Sequence, residues 1–224
     1  ENLAALYEIE RETQETFAVE SHLKAANTDF TDVIIPITTA DGVVSSDGCI
    51  RPNSNVSSLA RLGPAFKADG SVTAGTSSPL TDGAAFVLVC SEKFALEQGL
   101  KILAFIESTA VSGCSPEIMG IGPVAASQKA LARAGVRLED IDVIELNEAF
   151  SAQSLAVIEE LGLDPSKVNV DGGALALGHP LGASGARIVG RAVTILTRNK
   201  ANVALATMCI GGGQGIATVL RRVE

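Results

Sequence analysis

The chain has 224 residues, a formal charge of −9 and a composition that is 46% hydrophobic and 19% charged. These values are typical of a globular protein with a buried core, and the dispersed Lys and Arg residues argue against a nucleic-acid surface. No apolar run approaches the roughly 18 residues of a membrane span and no signal segment opens the chain, so the sequence predicts a cytoplasmic protein without membrane or nucleic-acid partners.

The four cysteines have no metal or redox signature. Cys49, Cys90, Cys114 and Cys209 form no CxxC pair, so the sequence predicts neither a metal site nor a redox disulfide. Without an export signal, reduced thiols are expected. The chain begins at Glu1, without Met and inside a helical pattern, which favours a truncated polypeptide.

The first third of the chain combines helical and loop-like sequence. Residues 1–26 are charged and have apolar side chains at helical intervals, which predicts helices with His22 on their surface. A short strand is predicted at Val33–Thr38. Residues 40–75 are rich in Gly, Ser, Asn and Pro, which indicates a structured loop region with one helical piece near Ser57–Leu62.

Apolar runs alternate with amphipathic segments in the rest of the chain. The run Ala84–Cys90 is continuous, as in a strand buried on both faces, and this places Cys90 in the core. The elements predicted after it are helix Glu92–Gln98, strand Ile102–Ser108, helix Pro123–Ala134, strand Ile141–Leu146, helix Glu148–Leu161, strand Val168–Val170, helix Ala183–Arg198, and strands Val203–Met208 and Ile216–Arg221. This alternation predicts an α/β fold around a central sheet.

Three side chains with chemical potential follow predicted strands or glycine-rich turns. Asn147 follows a strand, His179 lies between Gly178 and Pro180 before a helix, and Cys209 ends a strand and precedes three glycines. Because open α/β sheets carry function at strand ends, a histidine and a thiol there suggest acid/base chemistry. The alternatives are a structural histidine, an asparagine that caps the next helix, and a core thiol.

The glycines do not form a nucleotide-binding pattern. The spacing of Gly178, Gly182 and Gly185 is not a dinucleotide fingerprint, and the chain contains no P-loop. No nucleotide cofactor of those classes is therefore predicted.

Several motifs accompany these three side chains. They are Arg61-Leu-Gly-Pro-Ala-Phe66, Val72-Thr-Ala-Gly-Thr-Ser-Ser78, Asp82-Gly-Ala-Ala85, Met119-Gly-Ile-Gly-Pro123, Asn147-Glu-Ala-Phe150, Gly178-His-Pro180, Gly182-Ala-Ser-Gly-Ala-Arg187 and Cys209-Ile-Gly-Gly-Gly213. Together they resemble the C-terminal part of the thiolase family (acetyl-CoA acetyltransferase and 3-ketoacyl-CoA thiolase). The resemblance implies a thiolase-like layered α-β-α fold and acyl transfer between acyl-CoA molecules, by Claisen condensation or thiolytic cleavage. Acyl chain length and reaction direction stay open.

The resemblance implies roles for four residues of the active site. His179 would activate the thiol that accepts the acyl group and donate to the thioester oxygen. Asn147 would hold a water that completes this oxyanion hole, and the backbone N–H of Gly211 would serve a second one. Cys209 would remove or return a proton at the α-carbon. Because a thiol acts as a base only as thiolate, Cys209 is expected to have a depressed pKa or a nearby proton partner.

The resemblance also implies the substrate site. Arg51, Ser58, Phe66 and Ser78 match positions that line the coenzyme A site, and Met119 matches a residue of the acyl pocket. Coenzyme A and acyl-CoA are thus expected as substrates, with no permanently bound cofactor. A homo-oligomer, either dimer or tetramer, is expected as well.

The nucleophilic cysteine of the family has no counterpart here, because Cys49, Cys90 and Cys114 do not stand in its motif. The resemblance therefore implies that the N-terminal half is missing and that the chain is inactive alone. The implied domains are a partial loop domain (1–81), the last strand and helix of an otherwise missing N-terminal domain (82–102) and the C-terminal domain (103–224). The alternative is a non-catalytic half-thiolase that binds coenzyme A or docks on a partner.

The run Ala84–Cys90 gives this interpretation a structural consequence. An interior strand without its sheet leaves an apolar edge, which natural proteins avoid. Either a partner covers the segment or it forms a sizeable exposed apolar patch.

Overall fold

The structure is a computed structural model that describes residues 1–223. Its helices and strands are α1 (Asn2–Leu6), α2 (Arg11–Ala26), β1 (Ile37–Thr39), β2 (Gly42–Val44), α3 (Val56–Leu59), α4 (Glu92–Glu97), β3 (Ala104–Gly113), α5 (Gly122–Ala134), β4 (Val143–Leu146), α6 (Ser151–Leu161), α7 (Ala174–Leu177), α8 (Leu181–Asn199), β5 (Val203–Ile210) and β6 (Gln214–Arg222). The predicted α/β class is confirmed. Within residues 1–223, no helix is both long and apolar enough to cross a membrane.

A four-stranded mixed sheet organises the second half of the chain. Its order is β3-β6-β5-β4, with β4 and β5 parallel and the other two pairs antiparallel. Leu146 of β4 is the register partner of Thr207 of β5. Because parallel strands end at the same edge of a sheet, the residues that follow Leu146 and Thr207 lie close together.

Helices cover both faces of this sheet. On one face, Leu131 of α5 and Val157 of α6 share a buried cluster with Leu205 of β5. On the other face, Ile195 of α8 packs with Ala204, the preceding residue of β5. Ala204 and Leu205 are successive residues of β5, so their side chains point to opposite faces of the sheet. Because both are buried, each face needs a covering layer. The result is an α-β-α arrangement.

The N-terminal helices pack onto the sheet domain. Ile9, which precedes α2, clusters with Ala156 of α6. Ser21 of α2 donates a hydrogen bond of 2.7 Å to the buried carboxylate of Glu148. The helical prediction for residues 1–26 is confirmed, as two helices separated by a short turn.

The predicted strand at Ala84–Cys90 is wrong. This segment has extended or irregular backbone without strand pairing, and Phe86 and Leu88 are 88% and 74% exposed. Cys90 is exposed, so its placement in the core is wrong too. A strand requires hydrogen-bond partners, and none of the strands in residues 1–223 pairs with this segment. The apolar run instead forms an exposed patch, as expected for a segment with no covering partner.

Two other predicted strands differ from the structure. The strand predicted at Val33–Thr38 is displaced to β1, which pairs with β2 in a hairpin whose strand residues are all exposed. The segment Val168–Val170 contributes only one bridge, between Val168 and Ile144. Asn169 has φ 44°, which interrupts the extended backbone.

Candidate active site

Asn147 is the first residue after β4, and its backbone N–H donates to the Thr207 carbonyl at 3.0 Å. Its side chain is only 1% exposed, and Nδ2 lies 3.3 Å from Nε2 of His179. The N-cap of α6 is Phe150, so the alternative in which Asn147 caps this helix is wrong. The amide is therefore held by the sheet and points at the histidine.

The backbone around His179 turns sharply between α7 and α8. Gly178 has φ 90°, a conformation that only glycine adopts without strain. The His179 N–H donates to the Pro79 carbonyl at 3.4 Å, and Nδ1 lies 2.6 Å from Oγ of Ser184. Burial, and secondarily the positive charge of Arg187, lower the pKa of His179 below its usual value of 6.5. The imidazole is therefore neutral near pH 7.

Cys209 lies near the end of β5, two residues beyond Thr207, whose carbonyl accepts the hydrogen bond from the Asn147 N–H. The residue is buried, with 6% exposure. Burial raises its thiol pKa to about 11, with a smaller contribution from the nearby Cys114. Of the two alternatives expected for Cys209, a depressed pKa does not hold, because desolvation of the thiolate outweighs the hydrogen bond from its own backbone N–H. The other alternative, a nearby proton partner, stays a prediction. The resting side chain is a protonated thiol.

Gly211 lies in the turn that joins β5 to β6, two residues after Cys209. It is exposed, and a Cβ atom added there would meet no atom within 4 Å. Gly213 in the same turn is crowded, because an added Cβ would collide with the carbonyl of Cys114. The turn is thus packed at its base and open at Gly211, where a ligand could approach the backbone.

Two of the predicted substrate residues meet in one cavity. Phe66 and Met119 line a cavity of about 360 Å³. Phe150, three residues after Asn147, lines it too and packs edge-on against Phe66 with 5.8 Å between ring centroids. Most of the lining is apolar. Asn147 therefore lies on the segment that also forms a wall of this cavity.

Ser78 joins this region from the loop side. Its backbone N–H donates to the carbonyl of Ala149 at 3.0 Å, and Ser77 forms a bridge with Phe150. His179 is bonded through its N–H to Pro79, the next residue of the same loop. Ser78 thus lies between the cavity and the histidine.

Arg51 and Ser58 are not brought to this cavity. Both are exposed. Ser58 donates through Oγ to Asn55 Oδ1 at 2.9 Å, at the N-terminus of α3. The Arg51 N–H donates to Nδ1 of His22 at 3.1 Å. His22 is 7% exposed, so its predicted surface position is wrong: α2 turns this side chain toward the loop that carries Arg51.

Sequence reasoning missed a buried ionic cluster near Asn147. Burial raises the pKa of Glu145 in β4 to about 8 and also raises the pKa of Glu148. Glu148 accepts hydrogen bonds from Ser21, Asn169 and the Leu175 N–H; Asp171 pairs with Arg191 and Arg198. Nε and one terminal nitrogen of Arg187 have no partner. The sequence signal for this cluster is Glu145, an acidic residue inside the apolar strand β4, since a buried carboxylate requires compensating charges nearby.

The described part of the chain has no side-chain cluster of the kind that binds metal ions in proteins. Residues 1–223 contain no group of three or more His, Cys, Asp or Glu side chains positioned to hold a metal ion.

Two family models match the chain. The model described as "Thiolase, C-terminal domain" matches residues 100–222, and the one described as "Thiolase, N-terminal domain" matches residues 1–93. The interval between the two matches falls near α4. The domain bounds expected from the sequence, 1–81, 82–102 and 103–224, stay a prediction.

Curated relatives are similar over essentially the whole chain. An acetyl-CoA acetyltransferase of Chromobacterium violaceum is 48% identical over 99% of this chain and 59% of the relative. A 3-ketoacyl-CoA thiolase of Erwinia tasmaniensis is 52% identical over 100% of this chain and 61% of the relative. The chain thus spans about 60% of the length of these relatives.

Solved structures support the same relationship and the thiolase-like fold. Human mitochondrial 3-ketoacyl-CoA thiolase in complex with CoA superposes with a TM-score of 0.94 at 42% identity, over 99% of this chain and 57% of that structure. Bacillus anthracis acetyl-CoA acetyltransferase gives a TM-score of 0.94 at 43% identity, over 99% and 58%. By the family-model match, the sequence identity and the shared fold, the chain belongs to the thiolase family.

Proposed function

We propose that this chain supplies the acid/base half of a coenzyme A-dependent acyl-transfer site, which condenses acyl-CoA molecules or cleaves 3-ketoacyl-CoA. One observation carries the proposal. Asn147 contacts His179 at the edge of the sheet where β4 and its parallel neighbour β5 end, and Cys209 lies near that end of β5. Family membership supports the reaction class, and the geometry supports the assignment of roles.

His179 acts as the base that takes a proton from the thiol of coenzyme A. Its lowered pKa keeps the ring neutral, which a base requires. The same nitrogen, once protonated, donates to the thioester oxygen. Asn147 lies beside that nitrogen and holds a water at the oxyanion position. A preorganised donor of this kind contributes roughly 3–4 kcal/mol to transition-state stabilisation.

Cys209 exchanges a proton with the α-carbon of the substrate. Its pKa of about 11 makes the thiol the resting form. The thiol is the proton donor that thiolytic cleavage needs at the α-carbon. In the condensation direction the thiolate must form first, so this direction begins with the less populated form. The Gly211 N–H, in the open turn after Cys209, donates to the second thioester oxygen.

The cavity between Phe66, Met119 and Phe150 takes an apolar portion of the acyl-CoA. Its volume of about 360 Å³ and its mostly apolar walls support this assignment. Ser78, on the adjoining loop, contacts the substrate between the cavity and His179. Arg51 and Ser58, both exposed, contact the polar part of coenzyme A at the loop surface.

The nucleophile that would carry the acyl group is not among the four residues His179, Asn147, Cys209 and Gly211. Cys49 and Cys114 are half-buried and Cys90 is exposed, and none of the three stands in the nucleophile motif of the family. We therefore propose that the 224-residue chain does not turn over alone and that a thiolase-type partner segment supplies the nucleophile. The same segment would cover residues 84–90, and the chain together with this segment would form a homo-oligomer of two or four copies.

A second candidate is a binding subunit that holds coenzyme A without proton chemistry. The exposed apolar patch at residues 84–90 favours it, because such a surface suits a docking role. Both candidates bind coenzyme A. They differ in whether His179 and Cys209 move protons.

Exchange of the α-protons of acetyl-CoA into D₂O separates the two candidates, because it requires no acyl carrier. Coenzyme A binding is measured by calorimetry and deuterium incorporation by NMR, both on the 224-residue chain. We expect binding, and exchange that falls at least about 100-fold in His179→Ala and Cys209→Ala. Ser151→Ala, a buried serine outside the site, is the control. Binding without exchange would favour the second candidate, and absence of coenzyme A binding would refute both.

A further inference from the structure

Ser184 contacts the ring nitrogen of His179 that faces away from Asn147. Oγ of Ser184 lies 2.6 Å from Nδ1, while Nδ2 of Asn147 lies 3.3 Å from Nε2. Ser184 is in the first turn of α8 and is 0% exposed, so water does not compete for this contact. Each nitrogen of the imidazole therefore has a defined polar neighbour.

The hydroxyl of Ser184 has its own acceptor. Oγ lies 3.2 Å from the carbonyl oxygen of Pro180, with geometry suited to donation. A hydroxyl has a single proton, so a Ser184 that donates to Pro180 must accept from Nδ1–H of His179. The lone pair of the neutral ring is then on Nε2, where the Asn147 amide can donate to it. The hydrogen bonds run in one direction from Asn147 through the ring to Pro180.

The opposite direction leaves polar groups less well satisfied. Ser184 would donate to Nδ1 and lose its bond to Pro180, and Nε2–H would need an acceptor. Asn147 would have to turn its amide to present Oδ1 to the ring. Oδ1 now occupies a buried position without a hydrogen-bond partner, and turning the amide would place its NH₂ group there. A buried donor without an acceptor is costly.

We propose that Ser184 is a positioning residue that holds His179 in the Nδ1–H tautomer, which places the lone pair of the ring on Nε2. In the unliganded chain this lone pair accepts from Asn147 Nδ2, and a bound thiol takes the place of that donor. In the proton transfer, the S–H bond of coenzyme A breaks as an N–H bond forms at Nε2, and the products are a thiolate and an imidazolium. The imidazolium still donates from Nδ1 to Ser184. The use of the lone pair rests on the proposed function, whereas the tautomer is a property of the unliganded chain.

The second histidine provides an internal reference. Nδ1 of His22 lies 3.1 Å from the backbone nitrogen of Arg51, whose N–H can only donate. Neutral His22 must therefore be the Nε2–H tautomer, the opposite of His179. The chain contains two histidines, so one spectrum contains both cases.

The test is ¹⁵N NMR of the 224-residue chain labelled at histidine, at about pH 8, where an ordinary imidazole is neutral. Nitrogen shifts and two-bond proton couplings identify the tautomer, and His22→Gln assigns the two rings. We expect Nδ1–H for His179 and Nε2–H for His22. In Ser184→Ala, the ratio of Nδ1–H to Nε2–H at His179 should fall about tenfold, as for the loss of one hydrogen bond.

Ser151→Ala is the matched control, because Ser151 is also 0% exposed and its Oγ has no partner. It should leave both rings unchanged. The proposal is overturned if His179 of the unsubstituted chain is mainly Nε2–H, or if Ser184→Ala leaves the ratio unchanged while the His22 signals show an intact fold. The first of these two outcomes is measured on the unsubstituted chain and needs no variant.

This result is separable from the outcome for the proposed function. An Nδ1–H His179 in a chain without α-proton exchange would keep the positioning role and remove the function. Exchange in a chain whose His179 is Nε2–H would keep the function and remove the role of Ser184.

Discussion

Asn147 and His179 are 32 residues apart in the chain, yet Nδ2 of one lies 3.3 Å from Nε2 of the other. Asn147 is held by the hydrogen bond from its backbone to Thr207, which belongs to the parallel neighbour of its strand. His179 is held by Pro79 through its backbone and by Ser184 through Nδ1. The contact thus depends on the sheet, on a loop and on the first turn of α8 together.

Alkylation should distinguish Cys209 from an exposed thiol. Burial and a pKa of about 11 keep Cys209 protonated at neutral pH, and only thiolates react with iodoacetamide. We expect Cys90, which is exposed, to be alkylated first. The rate at Cys209 should still be rising at about pH 10. Peptide mass spectrometry after timed labelling measures both rates, and rapid labelling of Cys209 near pH 7 would contradict its raised pKa.

Glu145 should make the folded chain less stable as pH rises. Its folded pKa of about 8 lies above the ordinary 4.5, so the folded chain retains a proton that the unfolded chain releases. This contribution is fully present below about pH 4.5 and is lost as pH approaches 8. The slope for one proton is about 1.4 kcal/mol per pH unit at most. Glu145→Gln remains neutral and should reduce that slope.

Urea unfolding of the chain and of Glu145→Gln between pH 5 and 8 (on the order of one point per half unit) measures this effect as a difference. The variant should gain relative stability with rising pH. A residual slope is expected from Glu148, whose pKa is also raised. A difference that is constant with pH would show that Glu145 is ionised in the folded chain throughout this range.

Asp171 should be a strong contributor to stability through its pair with Arg191. The side chains are 6% and 8% exposed, and Arg198 adds a second contact at 3.0 Å. Asp171→Ala leaves the Arg191 charge buried without its partner, which costs about 3–5 kcal/mol. The free energy of urea unfolding measures the loss. Asp140→Ala breaks a comparable pair on the surface, with Arg137, and should change the midpoint little.

Gly173 should tolerate no side chain. A Cβ atom at this position would collide with the carboxylate of Glu148, which is buried and bonded to the Leu175 N–H. Gly173→Ala must displace a buried side chain that accepts hydrogen bonds from Ser21, Asn169 and the Leu175 N–H, so we expect a loss of roughly 2–4 kcal/mol. Gly182→Ala is the matched control, because an added Cβ there meets no atom within 4 Å. Since Gly182 is helical, Ala should be neutral or slightly stabilising. Equal melting temperatures for the two variants would contradict this account.

The sequence errors share one cause. The apolar run at residues 84–90 has the composition of a buried strand, but burial depends on which strands are present to pair with it. The charged sequence around His22 predicts a surface position, whereas α2 turns this side chain toward the loop of Arg51. A low pKa is one of the two alternatives that the chemistry of a base predicts for Cys209, whereas its depth in β5 raises the pKa. Each error concerns surroundings that lie far away in the chain.

The order of helices and strands after residue 91, apart from the strand predicted at Val168–Val170 and the short helix α7, could be predicted from the sequence, as could the α/β class and the motifs around Asn147, His179 and Cys209. These features depend on local periodicity, on glycine and proline positions and on short spacings, which are properties of neighbouring residues. The tertiary structure alone decided that Ser184 contacts His179 Nδ1, that Glu145 is buried beside arginines and that residues 84–90 lie exposed. Contact geometry, burial and the resulting pKa shifts arise from pairings between distant segments, and local sequence does not encode them.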